Sequence, residues 1–366
     1  MKIKSDRQYK FILCYTFLII AAISCNSQSQ SNMENQIVQT KTDNKLLKYT
    51  TGVRSILEDS KGNIWFGSYN EGVCLLHNGE LQYFTKENGL SDNQVRSIYE
   101  DKNGIIWFEC GIGLSIYDGQ KITVYKERNY DSINEWKLTY NDLWFKGDET
   151  AGYNKLEGTP GVYQYDGQKL FYRTFPVKIK SGQENAYSIS TNFVRSKNGI
   201  VWFGAYSELI GHNGKQLITF NNESLGLNGT TENLHIRSLM EDSKGNLWIG
   251  NNCGGGRSGI GVIKYDGKYF TQFTKQHRLR TEDTKGNSLD KVFSMCEDNS
   301  GNIWFGTNES GVWRYDGQSL KNFTQEDGVD SGITWIIYKS KSGELWFGGG
   351  PNGVYRFNGK SFERKY

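Results

Sequence analysis

The chain has 366 residues, of which 14% are aromatic, 43 are glycine and only 3 are proline. This composition is typical of many short strands joined by tight turns, because regular helices would contain more alanine and leucine and far less glycine. The formal net charge is +3, with charged residues at 23% and both signs interspersed, so nothing in the charge favours a nucleic-acid partner.

The first 25 residues predict a secretion and anchoring signal. A basic leader precedes an apolar run, residues 11–23, which is too short to span a bilayer as a mature helix. The run ends in Ala22-Ile23-Ser24-Cys25, which resembles the lipobox of bacterial lipoproteins. That resemblance implies that Cys25 is lipidated and anchors the protein in the cell envelope, at the outer membrane. A plain secretory signal with an incidental cysteine is the alternative. Residues 26–45 lack the apolar content to fold and are predicted to be a flexible tether.

Internal repetition predicts the architecture of the rest of the chain. A tryptophan followed by a large apolar residue recurs seven times. The seven pairs are Trp65-Phe66, Trp107-Phe108, Trp144-Phe145, Trp202-Phe203, Trp248-Ile249, Trp304-Phe305 and Trp346-Phe347. Each pair follows an alternating segment and a turn, and each precedes an apolar run that ends in Asn-Gly or Asp-Gly. These dipeptides favour type I′ hairpins, so each repeat predicts four antiparallel strands, a to d.

Residues 46–366 therefore predict an all-β protein, a seven-bladed β-propeller of four-stranded antiparallel blades with about 46 residues each. A single blade buries neither face, so the blades must stack around a ring. In strand b of the first repeat, Trp65 and Phe66 make both faces apolar, and Gly67 leaves room for the adjoining sheet. Glu109 and Lys146 replace that glycine in blades 2 and 3, which predicts different packing there.

The way in which the ring closes is left open by the sequence. Residues 361–366 supply a strand d for blade 7, yet residues 46–50 also resemble a strand d, namely residues 81–85. One of the two would close the ring, and the other would lie outside it.

The cysteines outside the leader form no Cys-x-x-Cys pair, and their spacings match no zinc site. They are Cys74, Cys110, Cys253 and Cys296. Isolated thiols are expected, with a single disulfide in an oxidising envelope as the alternative. No metal and no cofactor is predicted.

Residues 89–98, Gly-Leu-Ser-Asp-Asn-Gln-Val-Arg-Ser-Ile, are followed by Glu-Asp-x-x-Gly, Trp-Phe and Tyr-Asp-Gly. This series resembles the two-component-regulator propeller repeat, which forms the periplasmic sensor region of many hybrid sensor kinases and also occurs in stand-alone envelope proteins. The resemblance extends over essentially the whole mature chain and implies the propeller fold. Because no kinase or DNA-binding segment follows the seventh repeat, we expect the stand-alone lipoprotein form, which would not signal directly.

The long insertions of the repeat predict which face of the propeller is functional. In an antiparallel blade the a–b and c–d turns lie at one end, and the b–c and d–a connections lie at the other. Every long insertion falls on the second set, at residues 146–160, 251–259, 127–134, 176–187, 221–233 and 276–288. Variable loops on one face of a rigid scaffold predict that this face is the functional one. Neutral drift of the loops is the alternative.

Strand a should line the central channel and place a ring of side chains at its mouth. Counting back from each tryptophan places these residues near the start of strand a: Arg54, Arg96, Thr191, Arg237, Phe293 and Trp335, with Trp136 near the shortened blade 3. The loops add Tyr69, Tyr130, Tyr153 and Arg257. Arginines and aromatics together suit an anionic or carbohydrate group. The alternative is arginines that pair with neighbouring acids around a water-filled channel.

A catalytic alternative requires acid–base groups on the same face. His77 and His212 belong to the c–d turns at the opposite end and are expected to be structural. His235 and His277 lie on the functional face, and with Glu232 or Glu282 nearby either histidine could act as a general base. Streptogramin lyases are also seven-bladed propellers with Trp-rich repeats, so a lyase or hydrolase that uses His235, His277 and Glu282 is the second hypothesis.

The first hypothesis is a monomeric, lipid-anchored envelope protein whose propeller binds a glycan fragment or a partner protein, with sensing as one use of that binding. Its predicted binding residues are Arg54, Arg96, Arg237, Trp335, Phe293, Trp136, Tyr69 and Arg257. The lipid anchor would be its only membrane contact.

Overall fold

The computed structural model describes residues 46–125, 129–130, 134–139, 141–146, 160–175, 187–227, 232–252, 260–329, 332–351 and 353–366. Residues Leu47–Tyr366 form one compact unit. The predicted signal, Cys25 and the tether lie outside the described residues. Among the described residues, no helix has the length and apolar character needed to span a membrane.

The described chain forms seven four-stranded sheets, which confirms the predicted seven-bladed, almost entirely β architecture. Blades 1 and 2 contain β1 (Val53–Glu58), β2 (Ile64–Ser68), β3 (Val73–His77), β4 (Glu80–Phe84), β5 (Val95–Glu100), β6 (Ile106–Cys110), β7 (Leu114–Tyr117) and β8 (Ile122–Tyr125). Blades 3 and 4 contain β9 (Asn129–Tyr130), β10 (Leu143–Lys146), β11 (Gly161–Tyr165), β12 (Leu170–Thr174), β13 (Val194–Arg195), β14 (Val201–Gly204), β15 (Leu209–His212) and β16 (Leu217–Phe220). Blades 5 and 6 contain β17 (Ile236–Glu241), β18 (Leu247–Asn251), β19 (Val262–Tyr265), β20 (Phe270–Gln272), β21 (Val292–Glu297), β22 (Ile303–Thr307), β23 (Val312–Tyr315) and β24 (Leu320–Phe323). Blade 7 contains β25 (Ile336–Lys339), β26 (Leu345–Gly348), β27 (Val354–Phe357) and β28 (Phe362–Arg364).

Helical structure in the described ranges is confined to short connections. Two one-turn α-helices, α1 (Phe273–Gln276) and α2 (Thr281–Thr284), lie in the d–a connection between blades 5 and 6. One-turn 3₁₀ helices at Lys86–Asn88 and Gln325–Asp327 follow β4 and β24.

Blade 3 departs from the other six. Its order is β10-β11-β12-β9, so the tryptophan-bearing strand b, β10, is the first strand of the sheet. The two-residue β9 pairs in parallel with β12 at the opposite edge. Within the described residues, blade 3 therefore has no strand a, which agrees with the expectation that packing changes around Glu109 and Lys146.

Seven apolar clusters fill the seams between the blades, one for each pair of neighbours around the ring. In the first seam, Trp65 is 1% exposed and packs on Phe108 of blade 2 with ring centroids 5.5 Å apart. Gly67 has the predicted role, because a Cβ atom there would lie 2.1 Å from Ser55 Oγ and 2.8 Å from Val95 Cγ1. The blades thus approach each other too closely for any side chain at that position.

The C-terminal strand closes the ring, which resolves the question that the sequence left open. β28 pairs with β27 as strand d of blade 7. Leu47 and Tyr49 form no strand but are buried in the seam between blades 7 and 1. Arg364 Nη2 donates to the carbonyl of Leu47 at 3.0 Å. Both terminal segments therefore contribute to the closing seam.

All seven c–d hairpins are present, but the predicted type I′ geometry occurs only in the first. There both Asn78 and Gly79 have positive φ, at 51° and 84°. In the other six turns only the glycine does. The Asp or Asn side chain instead accepts backbone N–H groups, as Asp118 Oδ1 does from Gln120 and Lys121 at 2.9 and 3.0 Å. The side-chain hydrogen bonds stabilise a longer turn, so no second positive φ is needed.

Three of the four cysteines outside the leader are described, and all three are free thiols. Cys74 and Cys110 are buried, Cys296 is partly buried, and Cys253 lies outside the described residues.

Candidate functional site

A cavity of about 250 Å³ lies where the inner strands of the blades converge. It is lined by strand a, or by the residues just before it, from every blade except blade 3, which contributes Lys146 of β10 instead. The charged side chains in this lining are Arg54, Arg96, Arg237 and Lys146. Three of the four were predicted from their position in the repeat.

A β-bulge in strand a places the key side chain in four of the blades. In blade 1, Val53 pairs with Ser68 and Ser55 pairs with the next residue, Gly67, so Arg54 is the extra residue. The same register shift makes Arg96, Arg237 and Phe293 the extra residues of β5, β17 and β21. Bulges redirect a side chain and are common beside binding sites. The repeat therefore supplies a ring of positions whose side chains can vary while the strands keep their register.

One side of the cavity is aromatic. Trp335 and Phe293 line it, and they contact each other edge-on at 5.3 Å. Tyr69, which is not among the lining residues, stacks on Trp335 with centroids 5.6 Å apart. The Arg54 guanidinium lies 5.0 Å from the Trp335 ring, and Arg237 lies 5.9 Å from Phe293. Aromatic rings edged by guanidinium groups can stack a ligand ring and pair its charged substituents.

The charge of this cavity differs from that of the whole chain. Four cationic side chains line it, and none of the described lining residues is Asp or Glu. Over the full sequence, 43 basic residues are nearly balanced by 40 acidic ones. Cations gathered in a low-dielectric recess concentrate positive potential there. The arrangement favours an anionic group.

The sequence prediction was wrong about one lining position and missed another. Thr191 is 1% exposed, and its Oγ1 accepts the backbone N–H of Gly204 at 2.8 Å, while the next residue, Asn192, lines the cavity. Blade 4 has only a two-residue strand a, β13, so counting from the tryptophan loses register there. Lys146 was noticed only as a break in the glycine pattern, although a charge at a buried repeat position was itself a signal.

Trp136 lies away from the predicted channel mouth. Its Nε1 donates to the carbonyl of Thr174 at 3.1 Å, and its ring stacks on Trp144 and His212. It is partly buried between blades 3 and 4 and is not among the lining residues. Residues 134–139, which include Trp136, do not form strand a. Counting back from Trp144 therefore predicts the wrong location for Trp136. Tyr153 and Arg257 lie outside the described residues, as does the side chain of Tyr130.

His235 is on the expected face but is held as a buried neutral ring. It is 8% exposed, and its ring centroid lies 4.1 Å from that of Tyr206. Burial and the nearby Arg237 lower the pKa of His235 to about 4. Glu232, the suggested partner, forms a buried ion pair with Arg280.

His277 and Glu282 have separate neighbours. The His277 ring packs against Phe273 and Tyr315, and burial lowers its pKa. The carboxylate of Glu282 lies 3.7 Å from Arg280 Nη1. Across the described residues, no hydrogen bond or ion pair joins any two of His235, His277 and Glu282.

His77 and His212 lie at the c–d turns, as expected. Nδ1 of His77 lies 2.6 Å from Asn63 Oδ1, and Nδ1 of His212 accepts the Gly214 N–H at 2.8 Å. Both bonds support turns. No cluster of three or more His, Cys, Asp or Glu side chains suited to a metal occurs in the described ranges.

The fold and the cavity define a seven-bladed propeller with a cationic, aromatic-walled cavity on its axis. Four of its repeats match a known family model: the model described as two component regulator propeller matches residues 50–70, 89–108, 231–253 and 287–309. This confirms the resemblance noted from the sequence. The four matched segments belong to blades 1, 2, 5 and 6, the same blades whose strand a carries the bulge.

Relatives of known name extend the comparison. Histidine kinase P4 of Formosa agariphila is 26% identical over 252 residues, which cover 56% of this chain and 17% of the kinase. The extracellular domain of a proposed hybrid two-component system from B. thetaiotaomicron superposes with a TM-score of 0.62 at 21% identity, covering 86% of this chain and 40% of that one. A streptogramin B lyase superposes with a TM-score of 0.55 at 14% identity, covering 84% of this chain and 93% of the lyase. The chain thus spans about a sixth of the kinase and under half of the extracellular domain, and both superpositions establish the fold alone.

Proposed function

We propose that this chain is a binding module of the cell envelope, which recognises a glycan fragment carrying an acidic group in the axial cavity. The observation that carries the proposal is the cavity itself. Arg54, Arg96, Arg237 and Lys146 converge on a space that is also walled by Trp335 and Phe293. A sugar ring offers an apolar face for stacking, and its acidic substituent accepts hydrogen bonds from guanidinium and ammonium groups.

The size of the cavity supports a small ligand group in preference to a protein. The cavity volume of about 250 Å³ lies just below the range of roughly 300–1,000 Å³ that is typical of small-molecule sites. This suits one sugar ring with its substituents, whereas a protein interface needs a surface of about 800 Å² per partner. A partner protein on the same face is the competing outcome of the test below.

The envelope location has support from the relatives. The B. thetaiotaomicron neighbour is an extracellular domain, and the Formosa relative is named as a histidine kinase. Anchoring through a lipid on Cys25 at the outer membrane is part of the same proposal and rests on the sequence of the leader. Mass spectrometry of the protein purified from membranes would detect diacylglycerol on Cys25, and an unmodified cysteine would contradict the anchor.

The lyase hypothesis has less support. A general base must accept a proton near neutral pH, and a histidine with a pKa of about 4 is a weak one. His277 packs on aromatic rings and Glu282 lies beside Arg280, so the described residues hold no assembled acid–base pair.

The test is a glycan array and a pull-down with residues 26–366, compared with the triple variant Arg54→Ala/Arg96→Ala/Arg237→Ala. We expect the unmodified protein to retain acidic glycans and the triple variant to lose roughly tenfold or more in affinity, since each lost charged hydrogen bond is worth about 1.5–3 kcal/mol.

The matched control is the triple variant Lys61→Ala/Lys102→Ala/Lys244→Ala. It removes three positive charges from exposed a–b turns at the opposite end of the propeller. This control should bind like the unmodified protein. Equal binding by the arginine variant and the control, or capture of a protein with no glycan retained, would contradict the proposal.

A further inference from the structure

The inference starts from the glycine that follows the core tryptophan by two positions. In five repeats this residue is glycine, namely Gly67, Gly204, Gly250, Gly306 and Gly348. A Cβ atom on Gly306 would lie 2.3 Å from Ser294 Oγ and 2.7 Å from Thr334 Cγ2. Strand a of the same blade and strand a of the next blade thus both press on this position. Either strand alone would restrict a side chain there.

The two exceptions, Glu109 and Lys146, both adjoin the place where blade 3 would have strand a. Glu109 belongs to blade 2, for which this strand would come from the next blade, and Lys146 belongs to blade 3 itself. Glu109 is 2% exposed, and its Oε1 accepts the backbone N–H of Lys146 at 2.6 Å. The Glu109 carboxylate therefore takes the hydrogen bond that a neighbouring strand would otherwise accept from β10.

The axial cavity extends to this seam. Ser97, Tyr99 and Lys146 line it there. The residue of blade 1 that is equivalent to Ser97 is Ser55. The Ser55 hydroxyl is used in packing, because its Oγ donates to the carbonyl of Val95 on strand a of the next blade. Ser238 and Ser294 donate in the same way to Val292 and Thr334. For Ser97 the described chain offers no such strand, so a hydroxyl that elsewhere joins two blades lies at the cavity wall.

The cavity therefore has two unlike sides. Blades 6 and 7 supply Phe293 and Trp335 without a charge, whereas blades 2 and 3 supply the cationic Arg96 and Lys146 together with Ser97 and Tyr99. The second side is the one where the described residues of blade 3 include no strand a. A ligand with an apolar ring face and an acidic substituent can satisfy both sides at once.

We propose that the seam between blades 2 and 3 is the subsite for the acidic group of the ligand, with the Lys146 ammonium as its counter-charge. Arg96 contributes from the bulge of the adjoining strand, and Ser97 donates a hydrogen bond. The sugar ring lies on the aromatic side. Glu109 does not touch the ligand and acts as a positioning residue that holds β10 and thereby Lys146. This assignment rests on the proposed function and adds to it which residues select acid over neutral sugars.

The test is calorimetric titration of two matched pairs of probes, galacturonic acid with galactose and glucuronic acid with glucose. We expect the unmodified protein to bind at least one acid roughly tenfold or more tighter than its neutral partner. Lys146→Met keeps the length of the stem but removes the charge, so it should lower the affinity for the acid severalfold more than the affinity for the neutral sugar. Lys146→Arg should retain the preference.

Two further variants separate this subsite from the rest of the cavity. Trp335→Ala should weaken acid and neutral sugars alike. Lys102→Met, on the opposite face, should change neither, and circular dichroism should show the same β structure in every variant.

Different failures have different meanings. If Lys146→Met keeps the full preference for the acid, the subsite assignment is overturned and the binding function stands. If neither pair of sugars binds to the unmodified protein, the proposed function is overturned and the subsite with it.

Discussion

At the scale of single residues, one hydrogen bond recurs at the base of the blades. The indole Nε1 of the core tryptophan donates to an aspartate six residues earlier. The pairs are Trp65 with Asp59, Trp107 with Asp101, Trp248 with Asp242 and Trp304 with Asp298, at 3.0, 3.1, 2.8 and 2.9 Å. The same carboxylate also accepts the N–H groups of the a–b turn, as Asp242 Oδ1 does from Lys244 and Asn246. One carboxylate thus fixes both the turn and the side chain that fills the seam.

Asp242→Ala should be strongly destabilising, because it leaves the buried Trp248 Nε1 without an acceptor. We expect a loss of about 1–3 kcal/mol in the free energy of unfolding, measured by urea denaturation at pH 7. Burial alone would raise the pKa of Asp242, but hydrogen bonds from Trp248 and Asn246 outweigh it and lower that pKa. A depressed carboxyl pKa stabilises the fold above the unfolded value of about 3.9 and ceases to do so as the pH falls through the folded value. The difference between variant and parent should therefore shrink below about pH 4.

The matched control is Asp266→Ala in the same blade. Asp266 Oδ1 accepts the N–H groups of Lys268 and Tyr269 in an exposed turn and has no tryptophan partner. Asp266→Ala should lower the free energy of unfolding clearly less than Asp242→Ala does. Equal losses would mean that the indole hydrogen bond contributes nothing beyond the turn.

The aspartate–tryptophan pairing was predictable in principle but was not predicted. The spacing is visible in four repeats, yet it acquires meaning only when the a–b turn folds the carboxylate back over the indole. Blade 3 shows the converse. Leu138 stands six residues before Trp144, whose buried Nε1 has no hydrogen-bond partner in the described structure. The repeat thus tolerates an unsatisfied donor in the blade whose described residues include no strand a.

At the scale of the element, strand a both holds the neighbouring blade and supplies the side chains of the cavity. Its bulge residue points to the cavity, and the serine that follows joins the next blade. Counting positions predicted Arg54, Arg96, Arg237 and Phe293 correctly as cavity residues, because these four strands share one register. The same counting failed in blade 4, where strand a is short, and in blade 3, whose described residues include no strand a. Repeat periodicity therefore predicts a site as far as the repeat is regular, and the irregular blades require coordinates.

Gly306→Ala tests how closely the strands approach. The added methyl group would lie 2.3 Å from Ser294 Oγ and 2.7 Å from Thr334 Cγ2, so either the strands separate or the Ser294 hydrogen bond to the Thr334 carbonyl breaks. We expect about 1–3 kcal/mol of destabilisation from this overpacking, read as a lower midpoint in chemical denaturation.

Gly286→Ala provides the control for the loss of a glycine. Gly286 lies in the connection between blades 5 and 6, where a Cβ atom would come no closer than 4.0 Å to the Thr284 carbonyl oxygen. Its effect should stay within about 0.5 kcal/mol. If the two substitutions have the same effect, the glycine of strand b is not required for close packing of the blades.

At the scale of the whole molecule, one contact recurs between neighbouring blades. In four seams the a–b turn of one blade donates backbone N–H groups to a glutamate at the end of the next blade's strand a. The pairs are Ser60 with Glu100, Lys197 with Glu241, Ser243 with Glu297 and Lys341 with Glu58. The last pair joins blade 7 to blade 1, so the closing seam uses the same contact as the internal ones. Closure therefore needs no exchange of strands between the two ends of the chain.

The final prediction asks whether the closing seam is as strong as an internal one. Glu58→Ala removes the acceptor at the closing seam, and Glu297→Ala removes its equivalent between blades 5 and 6. In a ring that unfolds as one unit, each should lower the free energy of unfolding by a similar amount, about 1 kcal/mol, and the double variant should show the sum because the sites share no partner. Glu326→Ala, at an exposed carboxylate in the 3₁₀ turn after β24, should have no measurable effect.

A ring that opens between blades 7 and 1 in solution has already lost the Lys341 contact. Glu58→Ala would then leave the free energy of unfolding unchanged, while Glu297→Ala would keep its full effect. Urea denaturation followed by tryptophan fluorescence distinguishes these outcomes, because a core tryptophan lies in each of the two seams, Trp346 at the closing one and Trp248 at the internal one.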